Sequence, residues 1–325
     1  MKKQKDIYCD LGFWKNLSCK LSNAKMSTDL EELKRNQTLI DWYDLICRSN
    51  MFFDCSVADF DNAIKEDSFL KTLWKRSTDG RGKLEFSQGS IDKMCKGPAE
   101  MDVCMYNSLY LSQYNHYEEA KRVGVIIICD KDLFDHNELF GDKGDAIWRS
   151  EVTDWKEILQ STNVPHNCNS MVLVDNYIFN QAERNLYMIL DALLPMNIEA
   201  TFYLSIFSEN EGDDVCFENK KRALKEKLQT IRPNLPISIE VFENNKSEFH
   251  DRALITNYMW VGIGSGFDLF RRRESDKSTE LHVVYPMIVS EERIKWGNER
   301  YHILIADAKK CLRTRNTSSK NRLLR

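Results

Sequence analysis

Proline and glycine are scarce, with six and 13 among 325 residues. So few prolines argue against long extended linkers. No apolar run approaches the roughly eighteen residues that a membrane helix needs. No apolar stretch follows the charged start Met1 to Asp6, so neither a signal peptide nor a membrane span is expected. Internal repeats and low-complexity tracts are missing too, as are Gly-x-Ser-x-Gly, His-Glu-x-x-His and kinase motifs. Gly80-Arg81-Gly82-Lys83 lacks the P-loop spacing and the Ser or Thr after its lysine, so it does not point to a nucleotide. The ten cysteines form no Cys-x-x-Cys pair and no local His–Cys cluster. Several lie in apolar runs, such as Cys129 after Val125 to Ile128, as reduced buried thiols of a cytosolic protein do. Zinc is not expected.

A hydrophobic content of 42%, with 11% aromatic, is enough for two cores in a chain of this length. The net charge of −4 hides asymmetry. Lys309, Lys310, Arg313, Arg315, Lys320, Arg322 and Arg325 are unaccompanied by any acid, and Arg271 to Arg273 form a second basic run. Such runs either solubilise a tail or hold a polyanion. Helical periodicity runs from Leu30 to Cys47 and from Asp59 to Trp74. Val103 to Leu111 and Gly124 to Cys129 read as strands. The segment from Asn163 is the best boundary, giving an α/β domain over 1–162, a second over 163–308 and a basic tail over 309–325. The second alternates strand and helix: Val172 to Ile178, Asn185 to Leu194, Thr201 to Phe207, Lys220 to Thr230, Ile237 to Phe242. That order implies a mixed or largely parallel sheet with helices over it. Tyr301 to Ala306 reads as one more strand.

The richest stretch is Phe249 to Asn257 followed by Gly262 to Gly266. In strand alternation His250, Arg252, Leu254 and Thr256 share one face, and Asp251, Ala253, Ile255 and Asn257 the other. His250 and Arg252 thus point the same way, as a pair meeting one anion does, and Tyr258 to Ile263 reads as the return strand. The spacing is similar to the phospholipase D superfamily signature: His-x-Lys, four residues, Asp, six residues, then Gly-Ser/Gly-x-Asn. Here the positions hold His250, Arg252, Asn257 and Gly264-Ser265-Gly266-Phe267, so lysine, acid and final amide have all changed. The substitutions resemble a divergent branch, the phospholipase D-like domain found after microtubule-interacting-and-trafficking domains. The resemblance covers about residues 165–290 and implies an α/β sandwich with a mixed sheet, a dimeric, non-catalytic module that binds phospholipid peripherally or serves assembly. Residues 1–160 do not resemble the helical module that precedes the domain in that branch.

In active superfamily members the histidine attacks phosphorus and a lysine neutralises the phosphoryl oxygens. Arg252 retains phosphate-binding capacity, whereas Asn257 cannot stabilise an imidazolium as a carboxylate does. One motif copy means that a two-histidine site needs a symmetric dimer. Three readings stay open. His250, Arg252, Asn257 and Ser265 form a degenerate site that binds phosphate, with Gly264, Gly266, Arg271, Arg272 and Arg273 around it; the same residues form a working dimeric phosphodiesterase; or His250 and Arg252 only satisfy a buried carboxylate.

The N-terminal half offers a separate candidate. Asp10, Asp54, Asp130 and Asp132 follow apolar strands, where carboxylates can converge on Mg²⁺ or Mn²⁺. The arrangement is loosely similar to PIN-like nucleases; the plain alternative is that the chain leaves the core into water there. The expectation is a cytoplasmic protein with no cofactor, or Mg²⁺ or Mn²⁺ if the acids act. Expected partners are nucleic acid and a second copy of the chain, with a protein partner on the N-terminal domain and membrane contact at most peripheral. An accessory or phage-defence role in a prokaryote is the association this suggests.

Overall fold

The structure is a computed structural model that describes residues 4–24, 27–113, 116–130, 133, 155–156, 168–179, 183–209, 214–245, 247–249, 252–263, 281–284 and 291–325. The chain is α/β and divides into two compact units, Met1–Asp142 with Ile288–Glu291, and Lys143–Met287 with Glu292–Arg325. The division falls ahead of the boundary read at Asn163. Among the described residues no helix is long and apolar enough to cross a membrane.

In the first unit, strands β1 (Asp6–Cys9), β2 (Asn50–Phe53), β3 (Leu84–Phe86), β4 (Ser108–Ser112) and β5 (Ile128–Cys129) form a parallel sheet in the order β3-β2-β1-β4-β5. The pleat explains the pattern: Ile7 and Cys9 are buried opposite Met51 and Phe53, while Tyr8 faces the other way. Tyr8 sits in register between Phe52 and Tyr110, and its ring stacks 4.9 Å from each. Such cross-strand aromatic pairs pin the register of the central strands.

Helices α1 (Leu11–Asn23), α2 (Leu30–Arg48), α3 (Val57–Glu66) and α4 (Ser68–Thr78) lie in the crossovers that step from β1 to β2 to β3. Helices α5 (Ser90–Lys96) and α6 (Tyr117–Arg122) lie in the crossovers that step back to β4 and β5. Right-handed crossovers put the two groups on opposite faces, and the direction reverses between β1 and β4. The helical pattern from Asp59 to Trp74 is two helices rather than one. Asp67 is extended between them; its carboxylate caps α4 through Leu70 N–H at 2.8 Å and accepts from Trp14 Nε1 at 2.9 Å. That burial of the indole fixes the break.

In the second unit, β6 (Ser170–Val174), β7 (Phe202–Ser208) and β8 (Ile237–Glu243) run parallel, with α7 (Glu183–Leu193) and α8 (Asp214–Ile231) in the crossovers. Strands β9 (Arg252–Thr256), β10 (Trp260–Ile263) and β11 (Leu281–Val284) extend the sheet antiparallel beyond β6. The return strand expected after Tyr258 is β10. Gly262 lies under the Trp260 indole, and a Cβ there would collide with the ring.

The strand expected at Tyr301 to Ala306 is instead part of helix α9 (Glu291–Thr314). Its buried positions, Tyr301, Leu304, Ile305, Ala308, Cys311 and Leu312, step by three and four, a period that a six-residue window cannot distinguish from alternation. The stretch 309–325 is not a loose tail. It completes α9, and its end folds back as a 3-10 turn at Arg322–Leu324 with Leu323 and Leu324 buried. Arg315 pairs with Glu248 at 2.8 Å, and the Arg322 guanidinium lies over the Tyr203 ring. Asn321, fully buried, donates to Met171 O (2.8 Å), Ser205 Oγ (3.1 Å) and Tyr203 O (3.3 Å), and accepts from Leu323 N–H. Asn321→Ala should lower the unfolding free energy by about 1–3 kcal/mol, because buried backbone carbonyls lose their donor; urea denaturation followed by fluorescence and circular dichroism reads the shift.

Candidate functional site

The parallel strands of the second unit end together in a polar rim. Asp175 and Asn176 follow β6, Ser208 closes β7, and Asn244 follows β8. Because β9 is antiparallel to β6, with Ala253 opposite Val174, Arg252 enters the same edge from the other direction. Ligands of α/β sheets bind outside the carboxyl ends of the strands, where loops can vary without disturbing the core.

The rim is internally bonded, yet some of its capacity is unused. Asp175 is buried; its Oδ1 accepts from Tyr177 N–H at 2.9 Å and lies 3.8 Å from Arg252 Nε. The Arg252 guanidinium carbon stands 5.0 Å from the centre of the Tyr177 ring, a cation–π distance. Asn244 Nδ2 donates to Asn176 Oδ1 at 2.7 Å, and Ser208 Oγ to Asn176 O at 3.2 Å. The Asn244 Oδ1 is buried with no hydrogen bond. Arg252 is partly exposed and makes no hydrogen bond among the described residues. From Arg252 to Asn244 the rim spans three strand spacings, about 14 Å.

Asn257 does not stand with Arg252. The five residues of β9 put it at the other end of the strand, about 16 Å away at a strand's rise per residue. There it is fully buried, and its Oδ1 accepts from the backbone N–H groups of Asn169 and Ser170, both at 2.9 Å. Thus the amide expected in the place of a catalytic acid closes the amino end of β6. His250, Gly264, Ser265, Gly266, Arg271, Arg272 and Arg273 lie outside the described residues. Asp175, Ser208 and Asn244 were not singled out as site residues; the signal was a polar residue at or just past the end of each parallel strand, hidden at Asp175 because the strand read from Val172 ends earlier, at Val174.

The acids of the first unit are each engaged separately. Asp10 lies at the reversal between β1 and β4; Oδ1 caps α1 through Phe13 N–H at 2.6 Å, and Oδ2 accepts from Ser112 Oγ at 2.5 Å and Gln113 N–H at 2.9 Å. The Gln113 side chain packs so closely on Gly12 that any Cβ there would collide with it. Asp54 accepts from Gly89 N–H at 2.5 Å and Ile91 N–H at 2.9 Å at the start of α5, and Asp130 accepts from Asn16 Nδ2 at 2.6 Å. Among the described residues Asp10, Asp54 and Asp130 form no cluster with metal-ligand spacing, and Asp132 lies outside them. A cleft of about 980 Å³ between α1 and α3 is lined by Asp54, Asp59, Glu66 and Asp67 against Lys15. Its charge is wrong for a polyanion.

Neither a protein-family model nor a curated protein matches the chain.

The two ends of β9 should respond differently to truncation. Asn257→Ala strands two buried N–H groups and should cost about 2 kcal/mol or more of stability. Arg252→Ala removes a partly exposed side chain and a long ion pair, so it should change stability by less than about 1 kcal/mol. Parallel urea titrations of both variants measure the contrast.

Proposed function

We propose that the second unit is a divergent phospholipase D-like domain that binds a phosphate-bearing polymer, nucleic acid, without cleaving it. The observation that carries this reading is Arg252. Its guanidinium is oriented by Tyr177 and Asp175 at the carboxyl edge of the parallel strands, while its terminal nitrogens have no described partner. A planar fork so held suits two phosphate oxygens. His250 precedes it by two residues in sequence, and Arg271 to Arg273 follow the antiparallel return strand and extend the basic field. Nucleic acid is favoured over lipid because the basic runs have no adjacent aromatic-rich amphipathic helix.

Absence of turnover follows from the same residues. Asn257 is committed to the backbone of Asn169 and Ser170, so it gives a histidine at position 250 no carboxylate partner. One motif copy per chain makes a homodimer the natural assembly, as a symmetric pair doubles the contacts along a polymer. Metal-dependent cleavage by the first unit finds no support, since its three described acids cap helices or brace loops.

Labelled single- and double-stranded DNA and RNA, titrated with and without EDTA at two salt concentrations, test the proposal. Binding should weaken steeply with salt. It should fall roughly ten- to hundredfold in Arg252→Ala, since a charge-assisted hydrogen bond contributes about 1.5–3 kcal/mol. No cleavage is expected in either condition. Cleavage that survives EDTA and disappears in His250→Ala would replace the binding module with a phosphodiesterase. EDTA-sensitive cleavage indifferent to His250 would move the chemistry to the first unit, and absence of binding would end the proposal.

A further inference from the structure

Helices α5 and α6 bring together three side chains that lie far apart in the sequence: Cys95, His116 and Glu119. One ligand atom from each, the Cys95 sulfur, an imidazole nitrogen and a Glu119 carboxylate oxygen, lies within 4.8 Å of both others. Cys95 is buried at the edge of the core cluster that contains Ile91, Met94 and Ala120. His116 and Glu119 are one helical turn apart and partly exposed, which leaves a path from solvent.

The spacing is unusual for groups that satisfy one another. His116 Nδ1 is buried without a hydrogen bond, although it points toward Glu119 Oε2 3.6 Å away. That separation is too long for a hydrogen bond. A tetrahedral zinc ion with nitrogen and oxygen ligands at its usual bond lengths sets them about 3.4 Å apart. Among the described residues the Cys95 thiol has a 4.0 Å contact with the His116 carbonyl. Three donors of different type therefore converge, and among the described residues the buried imidazole nitrogen has no hydrogen bond. The set mixes a soft sulfur, a borderline nitrogen and a carboxylate, which suits zinc and excludes calcium or magnesium, cations that require mostly oxygen.

We propose that Cys95, His116 and Glu119 form a zinc site that joins α5 to α6, with its fourth coordination position open to water. Binding the ion releases the Cys95 proton to solvent and leaves zinc(II) without redox change. A reactive cysteine at this place is a poorer account. Cys95 is buried rather than presented to solvent, and burial, with the Glu119 and Asp92 carboxylates adding to it, raises its pKa. The site was hidden in the sequence because its sulfur lies 21 residues from its imidazole. The only local trace is His116-x-x-Glu119 at one-turn spacing.

The test uses the full chain, stripped with chelator and then titrated with Zn²⁺ and, separately, with Co²⁺. The expected results are one zinc per chain by elemental analysis and, with cobalt, a thiolate-to-metal charge-transfer band with the visible spectrum of a tetrahedral ion. Cys95→Ser should abolish the charge-transfer band. Glu119→Gln, at a partly exposed position that leaves the helix intact by circular dichroism, should weaken cobalt binding at least tenfold, and His116→Ala likewise. A cobalt spectrum and zinc content that are unchanged in Cys95→Ser and Glu119→Gln, or no charge-transfer band in the unmutated chain, would overturn the proposal.

Discussion

Buried backbone N–H and C=O groups must find partners, and the ends of buried parallel strands are where the ladder stops supplying them. In this chain short polar side chains close those ends. Asp10 and Asp54 do so in the first unit, and Asn257, Asn321 and Asp175 in the second. All but Asn321, which reaches the sheet from the 3-10 turn at Arg322–Leu324, are placed where a strand meets a helix or turn, and each accepts or donates at two or more points except Asp175, whose second neighbour is the Arg252 guanidinium. The positions of helices α1 and α5, and the entry to β6, follow from these closures.

The same constraint sorts structural polar groups from groups able to act on something else. A carboxylate that holds two backbone N–H groups has little left for a metal, and this is the condition of Asp54. An asparagine that clamps Asn169 and Ser170 is spent on the backbone and stands at the opposite end of its strand from Arg252. Among the described residues, unspent capacity bears on function at Arg252, at the carboxyl edge of the second sheet, and at the buried imidazole nitrogen of His116 beside Cys95 and Glu119. One offers positive charge to an anion, the other a mixed donor set to a cation.

Much of the secondary structure was legible because the periodicities are local. The stretch from Leu30 to Cys47 buries Leu39, Trp42, Leu45 and Ile46 on one helical stripe, as its pattern implied. The strand from Ile237 and the helix over Lys220 to Thr230 likewise lie within β8 and α8. Two readings failed for identifiable reasons. Asp67 breaks what periodicity shows as one helix because its carboxylate is needed by both Leu70 and the distant Trp14. Tyr301 to Ala306 is a short, nearly continuous apolar run that passes for a buried strand, and only the next turn of buried residues, Ala308 to Leu312, shows the helical step.

By itself the sequence determined that the chain is α/β, that its described thiols are mostly buried, and that Arg252 begins a strand followed by a return strand after Tyr258. Tertiary structure decided which of these residues can cooperate. Antiparallel pairing of β9 with β6 carried Arg252 to the carboxyl edge and Asn257 to the opposite one. The parallel order of the first sheet brought Ser112 onto Asp10 across 102 residues, and packing of α5 against α6 set Cys95 beside His116. Periodicity records which way a side chain faces along its own element, whereas a site needs side chains to converge from several elements. That convergence depends on strand order and register, which distant contacts fix.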